Sequence, residues 1–197
     1  MRHKMDDQEP QFLEVGEGAK RRRIAFRLGS GSGEVALLWL SGFLSDMAGT
    51  KASAIAAWAI AKGLPMLRFD YSGHGLSGGK LAQASIGDWL EVYNQPSAYA
   101  EPYPITKHPI EEGRAHLLEG YGFDPGCPVR ILQGMCDADV PWSHALSLVE
   151  LLTGNDVELA LIKDGEHRLA RREDIARLET ATAALAERAE ARDDQTP

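Results

Sequence analysis

The sequence predicts an α/β fold, a mostly parallel sheet flanked by helices. Three observations carry this prediction. Apolar runs of strand length alternate with helix-forming segments along the chain. The run VALLWLSG (35–42) is apolar throughout, as expected of an inner strand covered on both faces. The C-terminal part reads strand, helix, strand, helix in succession.

The first ten residues are polar and are expected to fray. QFLEV (11–15) and RRIAFRL (22–28) read as short strands. GSGSGE (29–34) is a flexible turn between strand-like segments; it lacks the GKS/T ending of a phosphate loop and precedes no helix. AGTKASAIAAWAIAKG (48–63) holds helix-forming alanines and stops at Gly63. PMLRFDYSG (65–73) is a strand with its exit turn, and SIGDWLEVY (85–93) starts as a helix. NQPSAYAEPYPIT (94–106) is expected to be irregular, because its prolines and tyrosines exclude a regular helix. PIEEGRAHLLEG (109–120) reads as helix again.

Strand VRILQG (129–134) precedes helix WSHALSLVELL (142–152), and strand DVELALIKDG (156–165) precedes helix REDIARLETATAALAERAEAR (172–192). Glu173 and Asp174 fall in the first turn of the last helix, where negative charge suits the dipole. No internal repeat is present. The expected organisation is a single domain over 11–192, with 1–10 and 193–197 disordered.

The 197 residues suffice for one domain with a hydrophobic core. A net charge of −8 argues against nucleic-acid binding, and the basic run KRRR (20–23) reads as a solvated strand edge or turn. No signal peptide is expected, because MRHKMDDQEPQFLEV has no apolar core segment. VALLWLSGFL is too short to span a bilayer. Cys127 and Cys136 bracket an extended strand at roughly 3.3 Å per residue, beyond disulfide reach. A reduced, cytoplasmic protein is therefore expected. No cofactor is expected, and no Cys/His spacing suits a metal site.

In open α/β sheets, chemistry collects beyond the carboxyl ends of the strands. Asp137 follows strand 129–134, and His167 follows the strand that begins at 156. An Asp and a His there can meet, the carboxylate fixing the imidazole tautomer and leaving Nε2 as a base. Asp139 competes with Asp137 for the acid role.

Six segments resemble one family in its order: GFLSDMAGTKA (42–52), RFDYSGHGLSGG (68–79), IGDWLE (86–91), EPYPITK (101–107), ILQGMCDADVPWSHAL (131–146) and LIKDGEHRLARREDI (161–175). They are similar to the α/β-hydrolase superfamily, and within it to the palmitoyl-protein thioesterase ABHD10-like group and its bacterial relatives. The resemblance implies Asp137 as catalytic acid, His167 as general base, and the Gly42–Phe43 loop as source of one oxyanion N–H. It implies ester or thioester substrates, acylated proteins and acyl glucuronides among them.

The family nucleophile is a serine in G-x-S-x-G on a strand-to-helix elbow, and about 60–80 residues of the family pattern that would hold it are missing after Glu91. The match GLSGG (75–79), centred on Ser77, is rejected, because YSGHG separates it from its strand and KLAQAS follows it. Ser41 and Ser45 on the oxyanion-side loop are weak candidates, and Cys136 is a weaker one. The expected fold is a truncated α/β-hydrolase, with central strands and part of the lid missing and a residual lid over 92–108. Strand 35–41 would lose a neighbour, and would pair with strand 129–134 or be covered by a second copy of the chain.

Two function readings follow. One is a serine ester or thioester hydrolase relative that keeps Asp137 and His167 but is impaired or inactive without its elbow. The alternative is a non-catalytic module binding a small acyl-like ligand or a protein, with AYAEPYPI (98–105) over an apolar groove.

Overall fold

The structure, a computed structural model, describes residues 9–18, 21–42, 44–79, 92–95, 103–106 and 122–193. By its internal contacts the chain divides into two compact units, Met1–Ser85 with Thr182–Pro197, and Ile86–Ala181.

The first unit holds a four-stranded sheet in the order β1-β2-β4-β3. β1 (Gln11–Val15) and β2 (Arg22–Gly29) are antiparallel, with Leu13 opposite Ile24. β4 (Met66–Phe69) runs antiparallel to β2 and parallel to β3 (Leu37–Trp39), with Leu38 opposite Leu67. The parallel pair is joined through α1 (Thr50–Lys62), the crossover that parallel strands require. Helix α1 buries Ala52, Ile55, Ala56 and Ala59, an i, i+3, i+4, i+7 stripe. Gly63 closes it at φ +70, a left-handed position that glycine occupies without steric cost. Ala25, Met47, Leu64 and Met66 are also buried in the core of this unit.

The second unit holds β5 (Val92–Gln95) paired antiparallel with β6 (Tyr103–Thr106), and β7 (Val129–Gly134) paired parallel with β8 (Val157–Ile162). The crossover between β7 and β8 contains α2 (Trp142–Leu151), which buries Ala145. The last helix, α3, spans Arg172–Asp193.

Two expectations are corrected. Val92 and Tyr93, read as the end of a helix, open a strand that runs to Gln95, and Tyr103–Thr106, the end of the stretch read as irregular, pairs with it, Val92 opposite Thr106 and Gln95 opposite Tyr103. Val, Tyr, Ile and Thr favour a pleated surface, and two such runs satisfy each other's backbone groups. The strand expected over 35–42 forms only at Leu37–Trp39, and Leu38 and Leu40 are each 59% exposed, so that face is not covered. β3 and β7 belong to separate sheets. The helix expected over 109–120, most of the one expected from 85, and the remainder of the lid segment lie outside the described residues. Among the described residues no helix is long and apolar enough to cross a membrane.

Candidate active site

The acid and base segments meet because two glycines permit it. In the β7–β8 register Gly134 lies opposite Ile162, so both strands end together. The ladder runs on past the strands, with Met135 N–H donating to the Ile162 carbonyl and Cys136 N–H to the Gly165 carbonyl, both at 2.8 Å. A Cβ on Gly134 would strike the Gly165 carbonyl, and one on Gly165 would lie 3.0 Å from Gly134 Cα. Only residues without side chains let these two loops approach so closely.

Asp137 stands on the first of these loops with its side chain 6% exposed. Its Oδ1 accepts the N–H groups of Asp139 at 2.9 Å and Val140 at 2.8 Å, and its Oδ2 accepts Gln133 Nε2 at 3.2 Å. His167 Nδ1 lies 3.0 Å from Oδ2 and 3.1 Å from Oδ1. Burial pushes the Asp137 carboxyl up, but the hydrogen bonds from Val140, His167, Asp139 and Gln133 together outweigh it and hold the group below the usual carboxylate range. An ionised carboxylate only accepts, so Nδ1 carries the proton and Nε2 is the basic nitrogen of the neutral ring. The imidazole remains 43% exposed. This arrangement orients a base and can stabilise the imidazolium formed when that base takes a proton.

The carboxylate paired with His167 is that of Asp137. Its competitor Asp139 instead gives its own N–H to Asp137. Gln133, on the last turn of strand before the loop, escaped sequence reasoning, since nothing local marks a strand glutamine as a carboxylate partner. Its Nε2 also reaches the Gly134 and Val140 carbonyls at 2.9 and 3.3 Å, tying the Asp137 loop at both ends. Asp137, Asp139 and His167 form the one group among the described residues whose donor atoms cluster closely enough for a metal ion. The Asp137 oxygens in that group are already engaged by N–H donors. Cys136 turns its Sγ to the Lys163 carbonyl at 3.3 Å.

The remaining sequence candidates belong to the first unit. Ser41 is buried, and its Oγ has no hydrogen-bond partner among the described residues. Ser45 is exposed, and its N–H donates to the Gly42 carbonyl at 3.0 Å, closing a turn. Within that turn Leu44 holds φ +56, and its N–H points to His74 Nε2 at 3.4 Å. His74 Nδ1 faces the Ser72 carbonyl at 3.2 Å, so one neutral tautomer serves both contacts. Phe43 lies outside the described residues.

Ser77, centre of the G-x-S-x-G match, is a supporting residue. Its buried Oγ donates to the Asp70 carbonyl at 2.7 Å and accepts the Ala25 N–H at 2.8 Å. Asp70, 1% exposed, accepts the N–H groups of Met47 at 2.7 Å and Leu76 at 2.8 Å. The segment RFDYSGHGLSGG is thus the end of β4 followed by a loop wound around a buried carboxylate.

An α/β architecture with an Asp–His pair at adjoining strand ends is that of the α/β-hydrolases. No family profile matches the chain. A protein from Agrobacterium vitis S4, described no further than as a hydrolase, is 30% identical with a TM-score of 0.82, over 90% of this chain and 98% of its own. Mouse alpha/beta hydrolase domain-containing protein 10 shares the fold at a TM-score of 0.77 and 23% identity, over 92% of this chain and 99% of its own. The bovine mitochondrial palmitoyl-protein thioesterase ABHD10 is 25% identical over 210 residues, covering 71% of this chain and 69% of the relative. The chain belongs to the α/β-hydrolase family and is related to its thioesterases.

Proposed function

We propose that this protein descends from serine ester or thioester hydrolases, with its acid–base pair assembled and its nucleophile elbow lost. The observation that carries the proposal is the contact of His167 Nδ1 with both oxygens of the buried Asp137 carboxylate. Such a pair serves to draw a proton from an attacking hydroxyl or water.

Two observations support the loss. The bovine match extends over 210 residues yet takes up 71% of the 197-residue chain, about 140 residues, so about 70 positions of the relative face no residue here. In addition, the one G-x-S-x-G segment commits its serine to backbone hydrogen bonds. The substrate class is an acyl ester or thioester, and the setting a reducing compartment such as the cytoplasm. Without the elbow the N–H that follows the nucleophile is lost as well, and one missing oxyanion donor alone costs about 10²–10³ in rate. Slow water-based hydrolysis through His167 is the activity left to the chain. The exposed Leu38 and Leu40 favour a second reading, a module that binds an acyl-like ligand or a protein without turnover.

Labelling with a fluorophosphonate, read by peptide mass spectrometry, tests the proposal. We expect no stoichiometric serine adduct. Hydrolysis of a short-chain acyl thioester should be slow and should fall about tenfold or more in His167→Ala, as for loss of a general base. Stoichiometric labelling of Ser41 or Ser45 that disappears in His167→Ala would refute the loss of the nucleophile. Turnover absent in both proteins would leave the binding reading.

A further inference from the structure

We infer that Arg171 is a positioning residue for His167, clamping the two ends of the loop that carries the imidazole. The inference rests on the reading of Asp137 and His167 as an acid–base pair. His167 sits in the connection Lys163–Arg171, between the end of β8 and the start of α3. Arg171 grips a carboxylate at each end of this connection. Its Nε and Nη2 donate to Asp174 Oδ2 and Oδ1 at 2.7 and 3.0 Å, and its Nη1 and Nη2 to Asp164 Oδ2 and Oδ1 at 2.7 and 3.3 Å. Both edges of the planar guanidinium are used in bidentate fashion, which fixes direction as well as distance.

The two carboxylates differ in what they anchor. Asp174 belongs to the first turn of α3, its side chain is 1% exposed, and it accepts the Arg171 backbone N–H at 3.3 Å. It is the fixed post. Asp164 is 78% exposed and stands at the start of the loop, three residues before His167. The arm from Arg171 to Asp164 therefore spans the loop from its end to its beginning.

The loop has reason to need such a clamp. Leu169 holds φ +44, a left-handed conformation that a branched side chain resists. Within the loop, Gly165 N–H donates to Ile162 and Leu169 N–H to Glu166, the latter at a long 3.3 Å. The imidazole is too exposed for packing alone to fix it. Its contact with Asp137 depends on where the loop backbone holds it.

A purely structural role for Arg171 would be to neutralise the buried Asp174, and the Asp164 arm separates the two roles. An exposed ion pair adds little to stability, so Asp164→Asn should fold with an unchanged unfolding midpoint. Positioning predicts that it nonetheless loosens His167.

The measurement is the ¹H resonance of His167 Nδ1–H in the ¹⁵N-labelled full chain, assigned by its disappearance in Asp137→Asn. We expect its exchange with solvent to quicken about tenfold in Asp164→Asn, since exchange reports local opening. Arg171→Lys should not restore the slow rate, because an ammonium lacks the fork. An unchanged rate in folded Asp164→Asn overturns the positioning role and leaves the acid–base pair intact. A wild-type resonance that survives Asp137→Asn overturns the pair itself, a distinguishable failure.

Discussion

Two buried aspartates follow strand ends in this molecule, and they have opposite fates. Asp70, after β4, gives one carboxylate oxygen to the Met47 N–H and the other to the Leu76 N–H. Both oxygens serve the backbone, and Gly75, at φ +48, passes so close that any Cβ there would strike the carboxylate. Asp137, after β7, gathers its backbone N–H donors on Oδ1 and turns both oxygens to an imidazole that solvent can reach. The first carboxylate is a staple that holds a loop; the second is held by its loop against an imidazole, the contact on which the proposed function rests. Burial and position after a strand do not distinguish them. What does is whether a partner able to exchange a proton stands on the far side.

The comparison can be broken most directly by removing each carboxylate. Asp70→Ala leaves the buried Met47 N–H and the part-buried Leu76 N–H without their acceptor and should cost about 2–5 kcal/mol. Asp137→Ala has a solvent-accessible imidazole on one side and should cost less, about 1–3 kcal/mol. Urea midpoints of the two variants decide it, and equal losses would erase the distinction between the two carboxylates.

Gly134→Ala sharpens it from the backbone side. The added methyl meets the Gly165 carbonyl, so the two loops must separate. Overpacking of this kind costs about 1–3 kcal/mol, and the contact between His167 and Asp137 should lengthen with it. A folded variant that keeps the Nδ1–H resonance would show that the glycine pair does not set the dyad.

The smallest effect is in the acid limb. The folded Asp137 carboxyl lies below its ordinary value, so the folded state gives up this proton more readily than the unfolded one. Its contribution to stability is complete above the unfolded carboxyl value of about 4 and is lost as pH falls through the lower folded value. Asp137→Asn should therefore make the loss of stability below about pH 4 shallower, as measured by urea unfolding across that range. An acid limb as steep as that of the wild type would contradict the depressed value.

Much of the fold was legible because its signals are local. β7 was read at Val129–Gly134 and forms there, α1, α2 and α3 fall within two residues of the segments read for them, and β8 ends three residues before the end of the segment read for it. Alanines, apolar periodicity and a stop glycine act over a few neighbours, so they can be seen in a line of letters. The β5–β6 pairing was not legible, because each strand is short and depends on a partner across an intervening stretch. Leu38 and Leu40 misled for a related reason: an apolar run states what a strand would bury and not whether anything covers it.

The same division holds for the site. The sequence by itself determined the family, the two loops and the residues Asp137, Asp139 and His167 as contenders. Only the tertiary structure decided that the imidazole meets Asp137, that Ser77 and Asp70 support backbone, and that Gln133 and Arg171 brace the two loops. The first two rest on hydrogen bonds between residues far apart in the chain, 30 positions for His167 with Asp137 and 52 for Ser77 with Ala25, whereas Gln133 and Arg171 reach partners no more than seven positions away. Such partners are chosen by which strand ends the sheet brings together, and no local propensity encodes that choice.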